Sequence, residues 1–132
     1  VGYVSISAGA LDLTSGEDGI NAQTILISDG ELTIAAADDG AHADLYMGIT
    51  GGDIAITESE EGLEAAAMEL AGGVIDTVSA DDGINVSSDA STAGDFAVDE
   101  TLWVSLSGAE VTIDAEGDGK DGQAVVSFRF QR

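Results

Sequence analysis

The sequence contains no cysteine and no proline, and its 132 residues include only three lysines and arginines, one histidine and six aromatic residues. Without cysteine the chain has neither a disulfide framework nor a thiolate metal site. No apolar run approaches the roughly 20 residues of a membrane-spanning helix, so membrane insertion is not expected. No basic, hydrophobic signal segment opens the chain, and its start at Val1 fits a product trimmed from a precursor, although an arbitrary boundary would look the same.

The scarcity of basic residues leaves a large negative charge. Twenty-six Asp and Glu residues give a formal net charge of -23. Such a charge repels polyanions, which argues against nucleic acid and anionic lipid as partners and favours cations. Because 44% of the residues are hydrophobic, a folded chain is expected rather than a disordered one. The length predicts a single domain, 1–132.

A short acidic phrase recurs five times along the chain. In the first four copies two acidic residues precede a glycine, and these glycines, Gly19, Gly40, Gly62 and Gly83, are 21, 22 and 21 residues apart. The fifth copy, 117–122, is weaker, and its glycine follows 36 residues after Gly83. The excess of about 15 residues, 87–101, is rich in Ser, Asp, Ala and Gly and is predicted to be a surface insertion.

Each repeat also carries two short alternating segments, the period of a strand rather than of a helix. Apolar residues recur at equivalent positions, which we call columns. The columns include Leu11, Leu32, Ile54, Ile75 and Val111; Leu13, Ile34, Ile56, Thr77 and Ile113; Ile25, Met47, Met68 and Val104; and Ile27, Ile49, Leu70 and Leu106.

This register predicts an all-β fold, a parallel β-helix of about five coils with 21–22 residues per coil. Equivalent residues of successive coils would stack about 4.8 Å apart. A glycine before the first strand of each coil suits left-handed corner geometry. These glycines are Gly9, Gly30, Gly52, Gly73 and Gly108.

Stacking would turn the acidic phrases into rows of carboxylates. Neighbours about 5 Å apart repel by roughly 1 kcal/mol in water and by about 3 kcal/mol at a half-screened surface, and Lys and Arg are too few to neutralise them. Calcium binds carboxylate and amide oxygens, so we expect it to bridge adjacent coils. The expected main ligands are Asp18, Asp39, Glu61, Asp82 and Asp118. A neighbouring row comprises Glu17, Asp38, Glu60 and Asp81, and a third comprises Asn21, Glu64, Asn85 and Asp121, with His42 as a further member. The alternative is a solvated acidic face of a protein from a salty habitat.

The segment Ser79 to Val86, the insertion after it and the segment Ala115 to Gly119 resemble a bacterial cell-surface carbohydrate-binding β-helix family. The resemblance covers roughly Gly9 to Gly122. It implies a right-handed parallel β-helix that is extracellular, non-catalytic and calcium-binding, with affinity for acidic or cellulosic polysaccharide. The chain departs from the family by its shortness and by Lys120 in an apolar column.

Enzymatic activity is not expected. Lyase chemistry on a calcium-bound sugar needs a basic residue to take a proton, and Lys120 is the only interior candidate. His42 has no cysteine partner and occupies a position where other coils carry Asn or Glu, which favours a member of the row over a catalytic group.

The six aromatic residues do not share one repeat column in this interpretation. They are Tyr3, Tyr46, Phe96, Trp103, Phe128 and Phe130. Alternation directs Tyr46 and Trp103 outward at comparable positions of their coils, which makes these two residues the best candidates for a carbohydrate-binding platform, against the alternative of isolated surface aromatics.

The two ends of the chain suggest another function, which is assembly with further copies of the protein. Neither end shows an amphipathic helical cap, and open β-helix edges can pair head to tail between subunits. We therefore predict an extracellular, calcium-stabilised structural protein that stacks into filaments. The alternative is a non-catalytic module that binds acidic polysaccharide or cellulose. The segment Ala124 to Phe130 either pairs with another subunit or folds back over its own core.

Overall fold

The computed structural model describes residues 2–87, 101–116 and 124–129, the last range by its backbone alone. All regular elements in these ranges are β-strands, and no helix occurs among them. The strands are β1 (Tyr3–Ile6), β2 (Ala10–Ser15), β3 (Ile20–Ile27), β4 (Glu31–Ala36), β5 (Ala41–Glu58), β6 (Leu63–Ser79), β7 (Ile84–Val86), β8 (Trp103–Leu106), β9 (Glu110–Ala115) and β10 (Ala124–Arg129).

The strands pair in parallel between positions one repeat apart. One series runs from β1 through β3 and the first halves of β5 and β6 to β7 and β8. The other runs from β2 through β4 and the second halves of β5 and β6 to β9. The fold is therefore the predicted parallel β-solenoid, with about four turns where about five coils were predicted.

The predicted inward columns form the core. Leu32, Ile54, Ile75 and Val111 are each at most 1% exposed, and their register follows the repeat. Burying a side chain of this kind stabilises the fold by about 1.5–3 kcal/mol, so the columns supply most of the apolar stabilisation. At the end of the stack no further coil packs against the column residues, so they are more exposed there. Leu11, in the first coil of its column, is 37% exposed for this reason.

The corner glycines before the first strands have left-handed backbone angles. The φ angles of Gly9, Gly30, Gly52 and Gly73 are 97°, 115°, 100° and 87°, which confirms the prediction at these four positions. Gly108 is not among the glycines with positive φ. Glycine is needed at this position for a steric reason, because a Cβ atom there would lie 2.2 Å from the carbonyl oxygen of Ala71.

The glycines of the acidic phrases are needed because successive coils approach closely. A Cβ atom on Gly40 would lie 2.5 Å from the carbonyl oxygen of Gly62 and 2.7 Å from Cδ1 of Ile56. At Gly19 the corresponding distance to the carbonyl oxygen of Gly40 is 2.6 Å. The acidic turns therefore stack backbone on backbone, which brings the carboxylates of neighbouring coils together.

The last strand reverses direction. β10 pairs antiparallel with β9, from Ala124 opposite Ala115 to Arg129 opposite Glu110. Of the two alternatives for this segment, the pairing therefore supports the one in which it folds back onto its own chain. The fifth acidic phrase, with Asp118, Lys120 and Asp121, lies outside the described residues, as does 88–100 of the predicted insertion.

Candidate functional site

Two surfaces carry the residues of interest, and the first is the acidic corner, formed by 17–21, 38–42, 60–64 and 81–85. Backbone hydrogen bonds tie its turns together between coils. Gly19 N donates to Asp39 O at 2.9 Å, and Gly40 N donates to Glu61 O at 2.9 Å. Gly62 N continues the series by donating to Asp82 O at 3.0 Å. The acidic phrases are thus stacked coil on coil, as the sequence predicted, while metal binding by them stays a prediction.

The stacking brings two groups of predicted ligands within reach of one ion. Potential ligand atoms of Asp39, Glu61 and Glu64 lie within 4.8 Å of one another, and those of Asp18, Asp39 and His42 do likewise. Asp39 belongs to both groups and is only 6% exposed. Within the described residues, neither group contains a member of the outer row, whose side chains are exposed: Glu17, Asp38, Glu60 and Asp81.

His42 is the group whose role the sequence interpretation missed. Its Nδ1 lies 2.9 Å from Oδ2 of Asp39 and 3.1 Å from Oε1 of Glu64, and its Nε2 lies 3.3 Å from Oδ1 of Asp44. Burial by itself lowers the pKa of His42, but the hydrogen bond with Asp39 and the charge of Glu64 outweigh it and raise the pKa above its ordinary value. A protonated His42 is therefore an internal cation for the corner, although the sequence argument counted only Lys and Arg.

At the two ends of the corner, asparagine side chains donate hydrogen bonds to the carboxylates. Nδ2 of Asn21 donates to Oδ2 of Asp18, and Nδ2 of Asn85 donates to Oε2 of Glu64 at 2.6 Å. The backbone nitrogen of Asp39 donates to Oδ1 of Asp18 at 3.0 Å. Asn21 and Asn85 therefore present their amide nitrogens to these carboxylates rather than the oxygens that a metal ligand would use.

The centre of the corner remains rich in uncompensated negative charge. Burial, a hydrogen bond with Glu64 and the charges of Glu64 and Asp81 raise the pKa of Glu61 to about 7, against a lowering hydrogen bond with Asn85. Burial also raises the pKa of Asp39, and the charges of Glu61 and Asp18 add to the effect against the hydrogen bond with His42. The carboxyl groups of Asp39 and Glu61 thus hold protons more tightly than isolated ones do.

The second surface is an outward column of the first strand series, which we call the aromatic column. Cα pairing places five residues in line along it: Tyr3, Thr24, Tyr46, Ala67 and Trp103. Tyr46 and Trp103 thus occupy equivalent positions, as predicted, and Tyr3 lies in the same column, which the sequence interpretation did not recognise. Phe96 and Phe130 lie outside the described residues, and only the backbone of Phe128 is described. Tyr3 and Trp103 are 62% and 42% exposed.

Tyr46 and Trp103 contact each other across the small side chain of Ala67. Their ring centroids are 6.4 Å apart and their planes meet at 55°, within the usual range for an aromatic pair. The Tyr46 hydroxyl donates to Oε2 of Glu69 at 2.8 Å. The two rings form a half-exposed apolar surface with a carboxylate beside it.

The comparison with known proteins gives the family. A model for carbohydrate-binding domain-containing proteins matches residues 1–100. The chain belongs to this family. The matched region contains Tyr3 and Tyr46 and ends before Trp103. No curated protein and no solved structure matches the chain. In the part of the chain that the structure describes, no helix is long and apolar enough to cross a membrane.

The signal for the aromatic column was present in the sequence. The steps from Tyr3 to Thr24, Tyr46, Ala67 and Trp103 are 21, 22, 21 and 36 residues, the same steps that separate the glycines of the acidic phrases. The sequence interpretation aligned Tyr46 with Trp103 but missed Tyr3, because the intervening members Thr24 and Ala67 are not aromatic.

Proposed function

We propose that this protein is a non-catalytic module that binds polysaccharide on the aromatic column. The observation that supports this most is the Tyr46 and Trp103 ring pair, which lies half-exposed on the face of a rigid parallel sheet. Membership of a carbohydrate-binding family supports the same function.

The chemistry of the two rings suits a sugar. The faces of a pyranose present C–H groups that pack on aromatic rings, and its hydroxyl groups need hydrogen-bond partners at the rim. Tyr46 and Trp103 supply the apolar contact, and the carboxylate of Glu69 supplies an acceptor next to it. Because Glu69 also accepts from Tyr46, the ring is held before any ligand arrives, which lowers the entropic cost of binding.

Substitution of the two aromatic residues tests this proposal. Trp103→Ala and Tyr46→Ala are expected to weaken polysaccharide binding about thirtyfold, the equivalent of about 2 kcal/mol for a contact at the centre of an interface. Binding to a panel of soluble glycans is measured by isothermal titration calorimetry. Leu45→Ala is the matched control, because Leu45 is 59% exposed beside Tyr46 but lies outside the column. If neither aromatic variant weakens binding while both stay folded by circular dichroism, the proposed surface is wrong.

We further propose that calcium binds the acidic corner as a structural ion. The donor set of Asp39, Glu61 and Glu64 consists of hard carboxylate oxygens and fits calcium, whereas the group with His42 contains an imidazole that calcium does not favour. A divalent ion there would supply positive charge between coils and displace the protons that the raised pKa of Glu61 retains. The exposed side chains of the outer row, Glu17, Asp38, Glu60 and Asp81, would then be solvated.

The extracellular or cell-surface location belongs to the same proposal, because polysaccharide is encountered there. Self-assembly into filaments has no comparable support. The segment Ala124–Arg129, which could have paired with another subunit, forms β10 and pairs with β9 of its own chain. The filament hypothesis stays a prediction from the sequence, and binding of polysaccharide is the function that we favour.

A further inference from the structure

The positions of the three aromatic residues along the aromatic column support a further inference, which rests on the proposed function. Tyr3, Tyr46 and Trp103 occupy alternate strands, with Thr24 and Ala67 on the strands between them. Adjacent strands of a sheet lie about 4.8 Å apart, so successive aromatic positions are about 10 Å apart and the column spans about 19 Å.

We propose that an extended, uncharged glycan binds along the solenoid axis, crossing the strands, with the Tyr46 and Trp103 pair contacting one end of a five-sugar segment and Tyr3 contacting the other. In an extended β-1,4-linked chain each pyranose advances the chain by about one strand spacing, so five sugars match the five strands of the column. The Tyr46 and Trp103 rings lie closer together than their backbone positions, with centroids 6.4 Å apart, and therefore contact neighbouring sugars. Thr24 is small enough to leave room for the sugars between Tyr46 and Tyr3.

The axial direction follows from the distribution of aromatic residues. Along any one strand the side chains on a given face recur every second residue. From Tyr46 that direction leads to Gly48 and Thr50, which offer no ring. A glycan that follows a strand would therefore stack on one aromatic residue, whereas a glycan that crosses the strands reaches three. Tyr3 is 62% exposed at the far end of the column, and only a glycan that crosses the strands would contact it together with Tyr46.

The flanking residues favour an uncharged glycan over a uronic acid polymer. The next outward column contains Ser5, Leu26, Gly48, Glu69 and Ser105. Its polar members accept hydrogen bonds from sugar hydroxyl groups, and the carboxylate of Glu69 repels the carboxylate of a uronic acid. The formal net charge of -23 on the whole chain also repels a negatively charged glycan.

Calorimetric titration with β-1,4-linked oligosaccharides of uncharged hexoses, from two to seven sugars long, tests the proposal on the full chain in a buffer with chelator. Affinity is expected to rise up to five sugars and then stay constant. Tyr3→Ala is expected to lower affinity for the five-sugar ligand about tenfold, to that of the three-sugar ligand, and to leave the latter unchanged. Tyr3→Phe is the matched control and should bind like the unmodified protein.

The outcomes separate this inference from the proposed function. Equal affinity for three and five sugars, with no effect of Tyr3→Ala but a loss in Trp103→Ala, would overturn the axial path and leave the Tyr46 and Trp103 surface standing. Tighter binding of oligogalacturonate than of the uncharged series would overturn the charge argument. Absence of binding to every glycan, in a protein that melts cooperatively, would overturn both proposals.

Discussion

The ring of Tyr46 lies across the position where Gly48 would carry a side chain. A Cβ atom on Gly48 would be 2.9 Å from the Tyr46 hydroxyl oxygen, 3.0 Å from its Cε2 and 3.1 Å from Cδ2 of Leu26. Gly48 thus leaves the space in which Tyr46 reaches Glu69. A glycine in a strand normally weakens it, so this glycine serves the aromatic surface rather than the stability of the sheet.

Gly48→Ala should therefore weaken glycan binding without unfolding the protein. The added methyl group displaces the Tyr46 ring, and we expect an affinity loss of about tenfold, the equivalent of about 1.4 kcal/mol. Gly48 is not among the glycines with positive φ, so alanine fits its backbone. Calorimetry gives the affinity and thermal melting gives the stability. Thr50→Ala, two residues further along the same strand, is the control, and equal affinity in all three proteins would contradict the prediction.

Gly40→Ala should destabilise the whole solenoid. Its Cβ atom would meet backbone of the next coil at 2.5 Å, which a side-chain rearrangement cannot relieve, so we expect a loss of about 3 kcal/mol in the free energy of unfolding. Urea denaturation measures the change. Gly16→Ala is the matched control, because nothing lies within 4 Å of a Cβ atom there. Equal denaturation midpoints for the two variants would show that the acidic turns are not packed as tightly as described.

Thr77→Val should stabilise the protein. Thr77 is 2% exposed in a column with Ile56 and Ile113, and its hydroxyl group has no hydrogen-bond partner among the residues that the structure describes. Removing a buried, unsatisfied hydroxyl while keeping the volume is expected to raise the free energy of unfolding by about 1 kcal/mol. Thr57→Val is the control, since Thr57 is an exposed residue whose hydroxyl does have a partner and donates to Ile34 O. A lower urea midpoint for Thr77→Val would mean that its hydroxyl group does find a partner.

The acidic corner should make stability fall as the pH rises. The folded pKa of Glu61, about 7, is raised above its ordinary value of 4.5. The stabilisation linked to its proton is therefore fully present below about 4.5 and is lost as the pH rises through about 7. The pKa of His42 is raised above its ordinary value of 6.5, so its proton acts with the same sign as the pH rises above that value. In chelator and low salt, the melting temperature should decrease between about pH 5 and about pH 8. Glu61→Gln should flatten this dependence, and the exposed Asp76→Asn should not.

Calcium should reverse that loss at the higher pH. If calcium binds Asp39, Glu61 and Glu64, adding it at about pH 8 raises the melting temperature, because the ion binds the folded state alone. Sodium chloride at equal ionic strength should do so less, and Glu61→Gln should remove the difference between the two salts. Equal stabilisation by both salts in the unmodified protein would instead favour a solvated acidic face adapted to salt.

Much of the architecture could be predicted because it is periodic. Leu32, Ile54, Ile75 and Val111 recur at nearly constant steps, and only stacked coils keep such residues in contact. The acidic rows followed from the same steps. Contacts that depend on a departure from the repeat could not be predicted in this way. At the register shift between Ala43 and Tyr46, Asp44 and Leu45 stand opposite the single residue Gln23 of β3, and Asp44 lies beside His42.

The amino-acid sequence by itself determined the parallel stacking, the inward columns and the positions of the acidic turns, because equal spacing along the chain becomes vertical alignment in a solenoid. The tertiary structure alone decided that Glu64 and Asp39 share His42, that Tyr46 lies over Gly48, and that β10 reverses against β9. These relationships depend on the direction of individual side chains and on where the backbone reverses. Neither property repeats every 21–22 residues, so the repeat in the sequence does not predict it.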